Sequence, residues 1–436
     1  MKPLRIGNAQ GFWGDQQTAP LRLVKETPDL DFLTLDYLAE VSLSILAIQQ
    51  EKDPEHGYAR DFVDVIRSLT KPWLAGHPVK VVTNAGGLNP RACAEACRQV
   101  LHEAGCHKTI AIVTGDDVID IIKTQSPFNN LDNGAAIDTV RDRLVTANAY
   151  LGAHGIVEAL DNGADIVITG RTADPSLTVA PCVHYYKWSW DDYDKLAGAT
   201  IAGHLIECGT QATGGISSDW LTIENPAEIG FPIVAVHEDG SFIITKSPES
   251  SGRVDIGNIT EQLLYEIGDP GNYLSPDVTV SFLNLALEQI GSDAVKVSGA
   301  VGKPPPPQYK VSATYRNGYK SEGTLAIFGA DAKEKAQHSG EVILQRLRNQ
   351  NFPIENARID CIGNDTECIL RIAVSGTKKE AITAFTKEIA PLVTSGPQGV
   401  TGYTSGRPPI RTVFGFWPCL IKKDQVQHQV QMLEVS

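Results

Sequence analysis

Three acidic side chains, Asp36, Asp174 and Glu207, stand at strand-to-helix junctions or on a helix face, where a carboxyl group can act as a general acid or base. In ADIVITGRTADPSLTVAP (164–181), Arg171 lies one helical turn before Asp174, a pairing able to hold an anionic substrate. The turn Asn84-Ala85-Gly86-Gly87 offers backbone N–H groups that could receive developing negative charge, with Asn84, Gly86 and Gly87 as its binding residues. Asp116 follows Gly115 after another apolar strand, and Gln211 shares a helical face with Glu207. Arg407 sits in a glycine-rich loop, where a guanidinium can clamp a carboxylate or phosphate. Each has a plainer structural role: a helix cap for Asp36 or Asp174, a tight turn for the glycines, a surface ion pair for Arg407.

His204, Glu207 and Cys208 also carry metal-ligand chemistry at helical spacing, although no further ligand stands nearby, so a divalent metal stays open and no metal residue is assigned. Cys208 as a nucleophile would take His204 as its base. The eight cysteines form no CxxC pair, which suits reduced thiols, and Cys93 and Cys97 fall on an apolar helical stripe. Neither GxSxG nor a phosphate-binding Walker loop occurs, and GNAQGFWGD (7–15) departs from the dinucleotide fingerprint. Nucleotide hydrolysis and nicotinamide chemistry are therefore disfavoured.

The elements that must position these groups alternate. Apolar strands are expected near Leu4–Ile6, Asp31–Leu35, Val79–Thr83, Thr109–Thr114 and Asp165–Thr169, each followed by a helical stretch. Asn89-Pro90 and Asp174-Pro175 read as helix starts at two strand ends, where open α/β sheets bind ligands. A helix over 197–214 carries His204 and Glu207. The pattern predicts a doubly wound, mostly parallel, Rossmann-like sheet over residues 1–225. After 225 the hairpin 231–246, turning at Asp239-Gly240, and further strands predict a smaller α+β domain with an antiparallel sheet over 226–436. Its glycine- and proline-rich segment, 395–409, is expected to pack back towards the site.

At 436 residues the chain exceeds one ordinary core, and 42% hydrophobic residues is normal for a globular protein. A net charge of −14 argues against nucleic acid as a partner. The opening MKPLRIGNAQ lacks the apolar run of a signal peptide, and no apolar run approaches the roughly 18 residues of a membrane span. A cytoplasmic protein without membrane association, forming a homo-oligomer, is the expectation.

At ITGRTADPSL, HLIECGTQATGG, TNAGGLNP and GVTGYTSGRPPIRTVFGFWP, the chain resembles the acyclic terpene utilisation protein A family, formerly a domain of unknown function, along nearly its whole length. The resemblance implies a place in bacterial catabolism of citronellol- and geraniol-like compounds, where branched acyl-CoA thioesters are carboxylated, hydrated and cleaved. It also implies proximity to acyl-CoA carboxylase components, here expected as separate chains because no biotin-attachment segment is visible. Together, residues and resemblance predict an enzyme acting on a small branched acyl-CoA or carboxylate, by lyase or hydratase chemistry, with coenzyme A entering as part of a thioester substrate. The competing expectation is a non-catalytic ligand-binding or scaffolding subunit of an acyl-CoA carboxylase.

Overall fold

The computed structural model describes residues 2–403 and 406–434. The chain forms two compact units, one of Met1–Thr139, Thr146–Ala313 and Trp417–Ser436, the other of Val140–Val145 and Thr314–Phe416. It opens with β1 (Leu4–Asn8), α1 (Ala19–Glu26), β2 (Phe32–Leu35), α2 (Ser42–Lys52), α3 (Asp61–Leu74), β3 (Lys80–Thr83), α4 (Pro90–Glu103), β4 (Ile110–Thr114) and α5 (Ile119–Thr124). Next come β5 (Leu144–Ala149), α6 (His154–Asp161), β6 (Ile166–Thr169), α7 (Ser176–Tyr186), α8 (Tyr193–Glu207), β7 (Pro232–Val236), β8 (Phe242–Lys246) and α9 (Ile256–Leu264). Five shorter strands follow: β9 (Tyr273–Leu274), β10 (Thr279–Ser281), β11 (Ala286–Gly291), β12 (Ala294–Ser298) and β13 (Val301–Lys303). The remainder is β14 (Gln308–Phe328), α10 (Ala332–Asn349), β15 (Asn356–Gly363), β16 (Glu367–Gly376), α11 (Lys379–Glu388), α12 (Leu392–Ser395), β17 (Val400–Thr401), β18 (Arg411–Lys422) and β19 (Gln429–Leu433).

The first unit is built on a ten-stranded sheet in the order β11-β12-β8-β7-β1-β2-β3-β6-β4-β19. Its middle, β1-β2-β3-β6-β4, is parallel throughout. Both faces of that middle are covered by helices. Ile166 and Ile168 of β6 bury with Leu23 of α1, Phe62 of α3 and Cys97 of α4, whereas Val167 buries with Val179 of α7 and Leu205 of α8. Alternate residues thus enter opposite cores, so these strands read as unbroken apolar runs.

The protein is a mixed α/β structure, and the sheet departs from the expected mostly parallel one. β7 joins β1 antiparallel, with Val234 opposite Ile6, and β8, β12 and β11 extend it further. β19, not expected as a strand, closes the other side antiparallel to β4. β7, β8, β11 and β12, expected in a second domain, therefore extend the first sheet, while β9, β10 and β13 form a separate three-stranded sheet. The physical reason lies in PIVAV itself: Ile233 and Val234 bury in the two opposite cores, which suits an interior strand beside β1.

The second unit is α+β. β16 lies antiparallel between β15 and the Tyr319–Phe328 part of β14. α10 and α11 cover one face, with Ile343, Leu347, Ile382 and Phe385 packed on Leu325, Leu370 and Ile372. Within the glycine- and proline-rich segment, β17 pairs with Ala326 and Ile327 of β14, while Thr404 and Ser405 lie outside the described residues. Among the described residues no helix is long and apolar enough to cross a membrane.

Candidate active site

The site begins where β6 ends. The Gly170 backbone runs against Asp116 so closely that a Cβ there would stand 2.4 Å from Oδ1. Asp116 Oδ2 accepts from the Arg171 backbone N–H and from Asn148 Nδ2, both at 2.8 Å. This fixes the turn that delivers Arg171. The guanidinium is 1% exposed; Nη1 donates to Leu38 O at 2.8 Å and to Asp174 Oδ1 at 2.7 Å, and Nη2 lies 3.5 Å from Oδ2. It also stacks over Tyr150, 4.0 Å from the ring centroid.

The side chain of Asp174, a candidate helix cap by sequence, does not cap α7: Arg171 holds the carboxylate, and Pro175 takes the N-cap position before Ser176. Asn89 does cap, accepting from the Ala92 N–H at 3.2 Å.

Arg171, Asp174, His204, Glu207, Tyr150 and Glu40 line one cavity of about 560 Å³, with Leu131, Leu274, Leu420, Tyr273 and Tyr309 in its apolar wall. Tyr150 donates to Glu40 Oε1 at 3.1 Å, and burial pushes its phenol up to about 12, so it stays protonated. Lys310 Nζ lies 3.8 Å from Glu40 and 5.1 Å from the Tyr150 ring centroid. Burial raises Glu207 well above the usual carboxylate range, reinforced by the negative charges of Asp174 and Glu266, while Arg171 pulls it down. Burial also raises Asp174 against the pull of Arg171. Burial opposes ionisation of both, in different settings: the Arg171 cation offsets it at Asp174, while Glu207 Oε2 is buried with no partner.

Asp36 and Asn84 are buried and do not line the cavity. Asn84 Nδ2 donates to Asp36 Oδ1 at 2.7 Å, and Asn84 Oδ1 accepts from the Tyr37 N–H at 2.7 Å, tying the ends of β2 and β3 together. Burial first, and then the charge of Asp174, raises Asp36 well above its ordinary range. The N–H groups of Ala85 and Gly87 bond inside the turn, to Thr83 Oγ1 and Asn84 O, which removes them as charge receptors. Gly86 and Gly87 serve close packing instead. A Cβ on Gly86 would stand 2.5 Å from Thr169 O, so Gly86→Ala should lower unfolding free energy by about 1–3 kcal/mol in urea titration.

Asp116 makes a pH-dependent prediction. Burial raises it to about 6, against the hydrogen bonds it accepts. A carboxyl with a raised folded pKa binds protons more tightly in the native state, so its stabilisation is present below the unfolded value and lost as pH rises through about 6. Asp116→Asn removes that dependence. Its stability relative to the parent should improve by about 3 kcal/mol between about pH 4 and pH 7, and a constant difference would contradict the assignment.

The helix expected to reach Gly214 ends at Glu207. Gly209 takes φ +60° and starts a tight turn over Gly209–Thr213, so Gln211 leaves the face shared by His204 and Glu207. Gln211 is half-buried, with Oε1 unpartnered, and lies outside the cavity lining. Burial and the neighbouring Glu207 raise the Cys208 thiol, which keeps it from being a ready nucleophile. Among the described residues no three His, Cys, Asp or Glu side chains gather as a metal-ligand set. Arg407 is exposed and belongs to the second unit. Tyr150, Lys310 and Glu266 line the cavity as well and are not among the residues that the sequence pattern points to. Tyr150 had a usable signal, following an apolar strand as Arg171 does, whereas Glu266, at φ +60°, had none.

Fold and site thus define an α/β protein with a ligand-sized cavity of ionisable groups beyond the carboxyl end of a parallel strand. The family model described as acyclic terpene utilisation family protein AtuA matches residues 4–432, and the chain belongs to that family. Searches of curated proteins and of solved structures give no match.

Proposed function

We propose that the protein is an enzyme of branched acyl catabolism that performs lyase- or hydratase-type proton chemistry on an acyl carboxylate or its coenzyme A thioester. One observation carries the reading: Glu207, a carboxyl with a buried, unpartnered oxygen that burial raises well above the usual carboxylate range, lines the same cavity as the Arg171–Asp174 ion pair. A neutral carboxyl can give or take a proton without first leaving an ion in the protein interior. The leucines and tyrosines of the wall suit a branched hydrocarbon chain, and the five parallel strands with helices on both faces are read as a Rossmann-like core that places ligands at its strand ends.

Arg171 takes a different role from the substrate clamp expected of it. Its Nη1 is engaged by Asp174 and Leu38 O, so it fixes Asp174 and supplies positive potential, while Lys310 is the cation better exposed to an incoming acid group. Asp36 and Asn84 position the strand ends.

Incubation of the purified protein with citronellic and geranic acids and their coenzyme A thioesters, followed by mass spectrometry, tests the proposal. Turnover that falls in Asp174→Asn or Glu207→Gln supports it; activity intact in both discards the assignment. Binding without turnover, together with copurification of acyl-CoA carboxylase subunits, assigns the chain as a non-catalytic subunit instead.

A further inference from the structure

His204 is 2% exposed on α8, between Tyr273 and Phe282, whose ring centroids lie 6.1 and 5.9 Å from its own. A buried imidazole has two nitrogens to satisfy, and each partner here constrains the other. Nε2 lies 3.0 Å from the carbonyl oxygen of Gln262 on α9. A carbonyl only accepts, so Nε2 carries hydrogen. Nδ1 lies 3.3 Å from Glu207 Oε1.

Two states satisfy that second contact: an imidazolium facing a carboxylate, or a neutral imidazole accepting from a protonated carboxyl. Burial decides between them. It drives His204 down to about 4 and Glu207 well above its ordinary range. Charges facing the pair come from Asp174 and Arg171 at the end of β6, Glu266 after α9, and Asp36 after β2. Three of those four are carboxyls, which oppose a carboxylate on Glu207.

We propose that His204 and Glu207 form a hydrogen-bond relay in which Glu207 Oε1–H donates to His204 Nδ1, leaving Oε2 as the acceptor for a hydroxyl group on the ligand. The relay rests on the proposed function for its substrate and extends it: the cavity takes a hydroxylated branched acid in preference to the acid without the hydroxyl. The ligand O–H donates to Oε2, Oε1–H donates to Nδ1, and Nε2–H donates to the Gln262 carbonyl, so one chain of hydrogen bonds runs from the ligand to α9 with no bond broken and no ion formed. His204 is a positioning residue that acts through Glu207.

An amide reproduces the neutral carboxyl: in Glu207→Gln, the side-chain N–H can donate to Nδ1 while its oxygen replaces Oε2. Ligand binding should therefore survive in that variant. The test is nitrogen NMR of protein labelled at histidine, with the His204 resonances identified by their absence from His204→Asn, alongside calorimetric binding of β-hydroxyisovalerate and isovalerate. The expected result is an uncharged imidazole with hydrogen on Nε2 in the parent and in Glu207→Gln, and about tenfold tighter binding of the hydroxy acid in both, as one added hydrogen bond gives. An imidazolium, or hydrogen on Nδ1, in the parent overturns the relay, as does equal binding of the two acids. The spectra do not depend on turnover, so a protein that converts no substrate would refute the enzymatic reading and leave the proton's location decided separately.

Discussion

Glu207→Gln is expected to lower turnover by about 10²–10⁴-fold, the range usual when a positioned acid or base is lost. The substitution keeps size and hydrogen bonding but removes the exchangeable proton. Stability should move little, because burial already holds the parent carboxyl well above the usual carboxylate range and the amide is its uncharged equivalent. The loss should therefore appear in kcat, with KM nearly unchanged, since the interaction removed matters only as the proton moves. A comparable loss of stability, read by urea unfolding, would show instead that Glu207 is an ionised member of a buried ion pair.

Arg171→Met should lower unfolding free energy by about 3–5 kcal/mol, the usual consequence of removing one partner from a buried ion pair. Three groups lose a neighbour at once: the Asp174 carboxylate, the Leu38 carbonyl and the face of Tyr150. The Asp174 side chain retains 28% exposure, so water recovers part of its solvation and the lower end of that range is favoured. Combining Arg171→Met with Asp174→Asn should restore part of the loss, because the second change removes the unpaired charge. Chemical denaturation of the two single variants and the double variant measures this. Additive losses would mean that the ion pair does not account for the effect.

The parallel half of the fold was legible because strands covered on both faces leave a simple signature. LRIGN, FLTL, KVVT, IAIVT and IVIT are short apolar runs between turn residues, and each became a strand. The boundary near 225 misled because a hairpin signal is local: Asp239-Gly240 specifies an antiparallel turn but not the sheet its strands join. β19, QVQML, alternates polar and apolar residues at an edge and gave a weaker signal than its neighbours.

Site residues divide along similar lines. Arg171, Asp174 and Glu207 were recognisable because strand ends and helix faces project side chains in known directions, and the structure gathers them in one cavity. Asn84, Gly86 and Asp116 were equally visible, yet they hold the backbone turns that deliver the lining residues. A one-dimensional pattern does not separate a side chain facing a ligand from one facing its own scaffold. His204 shows the limit most clearly, since its tautomer depends on a carbonyl of Gln262 carried by another helix.

The most direct measurement is the exchange of solvent deuterium into a branched acid or thioester held by the protein, followed by mass spectrometry. The account predicts label incorporated by the parent and label at background in Glu207→Gln, although both proteins bind the compound. Equal incorporation by the two would contradict it, because the proton would then be moving through a group other than the carboxyl at the end of α8.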